Sequence, residues 1–142
     1  MTDRAADPDG PDPICADDRY PRYKPGTYEV LCYAVKVYPD PRFKRWVCWL
    51  QCQFLGEKDK VSGFLNMGTG SAPAANRGSE YWRVWTMAKG EQPRRGRLPK
   101  KEFVGKIFRV RVDDTITRYD KRQHSEAAIY STIKEFIERT GP

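Results

Sequence analysis

Residues 45–54, RWVCWLQCQF, alternate strictly enough to dictate a conformation. Period two places Trp46, Cys48, Leu50, Cys52 and Phe54 on one face. It places Arg45, Val47, Trp49, Gln51 and Gln53 on the other. The first face is wholly apolar and the second mixed, which describes a long strand with one side on a core. Upstream, GTYEVLCYAVKVY sets Tyr28, Val30, Cys32 and Ala34 against Glu29, Leu31, Tyr33 and Val35, and it is rich in β-branched and aromatic residues. PDPRF separates the two runs as a turn whose prolines cannot donate to a ladder. GEKDK and then VSGFLNMG follow, a tight charged turn and a third strand that completes a hairpin.

The pattern then changes period. TGSAPAANRG is a loop of small residues. Ser79 is a good N-cap for a helix over EYWRVWTMAK, with Glu80 in its first turn and Gly90 just past its end. Tyr81, Trp85 and Ala88 share a helical face that Trp82 and Val84 widen. EQPRRGRLPKK is a loop carrying five basic residues, and EFVGKIFRVRV is a fourth strand with Phe108, Val110 and Val112 inward and Arg109 and Arg111 outward. DDTITRYDKRQHSE is a polar connection. The last segment has both characters. AIYSTI reads as a strand, while Ile129, Ile133, Phe136 and Ile137 have helical spacing. The expectation is a strand to about Ile133 followed by a short C-terminal helical segment.

Three strands, a helix and two strands is the order of a five-stranded OB-fold-like barrel, a mainly β fold with one helix between strands 3 and 4. FVGKIFRVRV followed by IYSTIKEFI, the long second strand and the aromatic helix resemble the small OB-fold proteins of phages and bacterial mobile elements from Gly26 onward. The resemblance implies a protein that binds single-stranded DNA in replication, recombination or mobile-element maintenance.

Charge agrees with a polyanionic partner. The net charge of +7 hides an asymmetry: residues 1–18 carry −5 and the remainder +12. Residues 1–22 are rich in Asp, Pro and Gly with little to bury and read as a disordered acidic tail, leaving 23–142 as the domain. The tail has two open readings. One is a solubilising extension; the other is a segment that competes with nucleic acid for the basic surface or recruits a protein partner. No apolar run is long enough to span a membrane, and no N-terminal signal pattern is present. The expected setting is the cytoplasm, with the cysteines as thiols.

Catalysis and metal binding find little to build on. Cys48 and Cys52, four apart on a strand, are separated by about 13 Å. A single zinc with bonds of about 2.3 Å cannot bridge that gap. The only histidine is His124, in a charged loop, and Cys15 lies in the tail. Asp113–Asp114 reads as a turn, and GTGS at 68–71 lacks the ending of a P-loop. No catalytic residue, metal or cofactor is expected. A nucleic-acid surface needs outward aromatic faces and unpaired cations. Trp49 is the main stacking candidate, with Tyr33 and Tyr38 beside it and Gln51 and Gln53 for base edges. Phosphate candidates are Arg42, Lys44, Arg45, Arg94, Arg95, Arg97, Lys100, Lys101, Arg109 and Arg111. Trp46, Trp82 and Trp85 are assigned to the core or to helix packing. Four alternatives stay open: Trp49 covered by the helix or tail, the basic loop as ordinary solvated surface, the whole domain as a protein-docking or structural module, and the domain as an enzyme subunit or nuclease accessory.

Overall fold

The structure, a computed structural model, describes residues 22–115 and 130–142. The acidic tail up to residue 21, Cys15, most of the polar connection with His124, and Ile129 lie outside the described residues. The elements are β1 (Gly26–Asp40), β2 (Arg45–Phe54), β3 (Lys60–Asn66), α1 (Glu80–Lys89), two 3₁₀ turns (Arg94–Gly96 and Lys100–Phe103), β4 (Ile107–Asp114) and β5 (Ser131–Gly141).

The five strands form one antiparallel sheet in the order β3-β2-β1-β4-β5. The fifteen-residue β1 divides its length between two neighbours. Gly26–Leu31 pairs with β4, and Val30–Asp40 pairs with β2. A strand that changes partner along its length must coil, and coiling brings the two outer strands toward each other. Thr132 Oγ1 of β5 donates to the Ser62 carbonyl of β3 at 3.1 Å. The Phe136 ring lies under Gly63, where a Cβ would sit 2.7 Å from it. Among the described residues no backbone ladder joins β3 to β5, so the sheet is curled rather than closed. Helix α1 packs against β3, β5 and the second 3₁₀ turn, and Arg83 donates to the Phe136 carbonyl at 2.9 Å.

The core is the inner face of this sheet plus the inner side of α1. Val30, Leu50, Leu65, Phe103, Phe108 and Val110 are fully buried, as are Cys32, Cys48 and Cys52. β2 shows the alternation read from its sequence from Cys48 to Phe54, with Val47 of the mixed face also buried, and α1 has the Ser79 and Gly90 caps: Ser79 Oγ accepts from the Trp82 amide, and Gly90 adopts φ 87°. Among the described residues no helix is long and apolar enough to cross a membrane.

Four sequence expectations change. β5 runs as a strand to Gly141, with no C-terminal helical segment. Its pairing with β4 shifts register three times, and each bulge adds a residue on one side, so Ile133 and Phe136 both face inward three residues apart. A bulged strand thus imitates helical spacing. β4 starts at Ile107, because Glu102 and Phe103 belong to a 3₁₀ turn that drives the Phe103 ring into the core. On β1, a bulge at Tyr33 breaks the alternation: Cys32 faces Cys52, and then Ala34 faces Gln51. Val35 and Val37 therefore share the face of Val30 and Cys32, while Ala34, Lys36 and Tyr38 turn outward. Trp85 is buried in the core, but Trp46 and Trp82 are only half-buried. Their indole nitrogens donate to the Gly70 carbonyl and to Gln92 at the surface.

Candidate nucleic-acid interface

The outer face of β1, β2 and β3 is built by cross-strand register. Lys36 lies opposite Trp49, and Trp49 lies opposite Phe64, so a cation, an indole and a phenyl ring form one row across the strands. The Trp49 and Phe64 rings are near parallel, 17° apart, with centroids separated by 6.1 Å. Lys36 Nζ is 5.8 Å from the indole centroid. Trp49 Nε1 donates to Ser62 Oγ at 2.9 Å, which fixes the ring by its polar edge. Phe64 is 50% exposed, a large apolar surface that folding leaves in water. Together with Val37, Tyr38 and Lys100, these residues line an open cleft of about 520 Å³. Trp49 is half-buried and lines this cleft, and α1 packs against β3, β5 and the second 3₁₀ turn.

A second row runs beside the first. Lys60 Nζ lies 5.4 Å from the Tyr33 ring centroid. Gln51 separates the two rows, and the Gln53 amide is committed to the Glu57 carbonyl of the β2–β3 turn. At the β1–β2 hairpin tip, the guanidinium groups of Arg42 and Arg45 sit 4.9 and 4.6 Å from the Phe43 ring, which is 48% exposed. Lys44 occupies the left-handed region at φ 50°. Burial and the neighbouring Asp40 raise the pKa of Tyr38, so its hydroxyl stays protonated and available as a donor.

The basic residues separate into two groups. Arg94, Arg95, Arg97, Lys100 and Lys101, together with Lys36 and Lys60, form no ion pair among the described residues. Arg109 and Arg111 do point outward from β4, but Glu138 pairs with Arg109, and Glu135 and Asp113 pair with Arg111. Those two arginines serve the β4–β5 seam and lie away from the aromatic row. Of the expected phosphate contacts, Lys100 alone also lines the aromatic cleft.

Phe64, Lys36, Lys60 and Phe43 belong to this surface and were not among the residues singled out from sequence. Phe64 was legible: Val61, Gly63 and Leu65 alternate against Lys60, Ser62 and Phe64. Lys36 was hidden by the Tyr33 bulge. The buried thiols take no part. Burial pushes the Cys48 thiol up to about 12, with Cys32 adding to the effect, and burial carries Cys52 well above its usual range. Both stay protonated as packing atoms. Among the described residues no group of three or more His, Cys, Asp or Glu side chains is placed to hold a metal ion. Comparison with known proteins finds no family model that matches this chain and no curated protein similar to it.

Proposed function

We propose that this protein binds single-stranded nucleic acid, DNA foremost, on the outer face of β1–β3 and performs no chemistry on it. The observation that carries this reading is the row Lys36–Trp49–Phe64 lining an open cleft whose rim includes the unpaired Lys100. Stacking on exposed rings is indifferent to sequence because every base has a π face, and unpaired cations hold the backbone. The strand order, the approach of β3 to β5 and the helix between β3 and β4 support an OB-fold-like barrel whose β3–β5 seam is made by side chains. A role in replication, recombination or mobile-element maintenance rests on the sequence resemblance alone.

The test is a titration of a labelled single-stranded DNA of about 30 nucleotides, several times the site of one such fold. DNA anisotropy and tryptophan fluorescence are followed together at two salt concentrations. Binding with tryptophan quenching should weaken at least about fivefold in Trp49→Ala, the low end of one stacked base. Binding without quenching would remove the stacking half of the reading. No binding at low salt, by the full chain or by a variant lacking residues 1–22, would remove the whole reading and favour a protein partner.

A further inference from the structure

One wall of the aromatic cleft is Lys100. That residue also lines a second depression of about 460 Å³, with Val37, Tyr81, Leu98 and Gly96 among its walls. Gly96 in turn borders a third cleft, of about 700 Å³, on the exposed side of α1. Neighbouring clefts thus share wall residues, Val37 and Lys100 between the first and second and Gly96 between the second and third, so the three lie in series from the sheet to the helix.

The third cleft repeats the chemistry of the first. Trp82 is half-buried, with its indole edge held by Gln92 Oε1 at 3.3 Å. The Arg77 guanidinium carbon lies 5.4 Å from the ring centroid. Arg95 lines the same cleft and holds φ 54°, a left-handed conformation that a non-glycine residue adopts only under constraint. Arg77 and Arg95 form no ion pair among the described residues. Arg83, also in the wall, is occupied by Glu80 and by the Phe136 carbonyl. An indole fixed at its edge beside two unpaired guanidiniums suits a planar base flanked by phosphates. The acidic segment 1–18 of this chain would satisfy the arginines but has no aromatic ring for the indole.

We infer that Trp82, Arg77 and Arg95 form a second stacking site, occupied by the same nucleic-acid strand after it leaves the Trp49 cleft and passes the basic loop. This rests on the single-strand reading of the β1–β3 face and extends the bound length beyond it.

The experiment compares oligothymidylates of about 5 and about 15 nucleotides, spanning the range bound by single domains of this kind. The full chain is used, with anisotropy as the readout. Wild-type protein should bind the longer strand more tightly by more than the ratio of lengths. Trp82→Ala should leave the short strand's affinity unchanged and weaken the long strand's by about fivefold or more. Trp82→Phe should recover most of that loss, because a phenyl ring still stacks. Arg77→Glu, on the exposed surface, should reproduce the length-selective loss without disturbing the buried face of α1, Tyr81, Val84, Trp85 and Ala88. Equal long-strand affinity in wild type, Trp82→Ala and Arg77→Glu, with Trp49→Ala weakening both lengths, would overturn the second site and leave the first standing. Failure of both lengths to bind wild-type protein would overturn both. If a peptide of residues 1–18 quenches tryptophan fluorescence in wild type but not in Trp82→Phe, while the long strand's quenching is the same in both, the cleft belongs to the acidic tail and the inference falls.

Discussion

At the scale of single residues, the outer face depends on a tryptophan that is neither free nor buried. Ser62 holds the indole edge and Phe64 supports its flank, so the ring is oriented before any ligand arrives. Ordering the ring in advance removes part of the entropy that binding would otherwise cost. Trp49 and Phe64 should therefore act as a unit. In a double-mutant cycle on DNA affinity, Trp49→Ala and Phe64→Ala should couple by about 0.5–3 kcal/mol, and simple additivity would show that the rings act separately. Gly63, one residue away, is fixed for a different reason. A Cβ there would sit 2.7 Å from the Phe136 ring, which packs edge-on against Phe108 and would have to shift. Gly63→Ala should destabilise the fold by about 1–3 kcal/mol in urea unfolding, the usual cost of overpacking. Trp49 was legible from sequence because β2 alternates without interruption. Lys36 was not, since the inserted Tyr33 moves every later side chain of β1 to the opposite face.

Individual elements were legible where local signals agree and obscure where pairing decides. α1 announces itself through Ser79, Glu80, Gly90 and an apolar face, and these determine its ends. β5 carries helical spacing in Ile133, Phe136 and Ile137, yet it pairs with β4 along its whole length. Its bulges arise from tertiary pairing, which a sequence window does not contain. The same strand supplies Glu135 and Glu138 to Arg111 and Arg109. Treating the end of the chain as a helical turn therefore also left those arginines looking unpaired. Phe136 links the elements: it touches Phe108, fills the space at Gly63, and its carbonyl receives Arg83 from α1. Phe136→Ala should cost about 3–5 kcal/mol, and thermal unfolding should show β5 and α1 lost in one transition. A small loss would mean that the β3–β5 approach contributes little to stability.

For the whole molecule, net charge is a weaker guide than the distribution of unpaired charge. The sequence shows a strongly basic body, but the sheet divides it: the cations of β4 are neutralised across the β4–β5 ladder, while Lys36 and Lys60 on the β1–β3 face and the cations of the 94–101 loop form no ion pair among the described residues. Counterion release follows only cations that meet phosphate, at about 0.7 per contact for single strands. The slope of log affinity against log salt should therefore discriminate between the two groups. Arg109→Ala and Arg111→Ala should leave both the slope and the affinity within about twofold of wild type, because breaking an exposed pair changes little. Lys36→Ala and Lys100→Ala should each reduce the slope by about 0.7 and weaken binding to all sequences alike. Removing the acidic residues 1–18 should leave the slope unchanged if the tail stays clear of this face. It should raise low-salt affinity if the tail occupies the face, because the strand would no longer have to displace a segment of its own sign. Equal effects of all four cation substitutions would mean that binding responds to total charge alone, and the aromatic row would then have no claim to be the site.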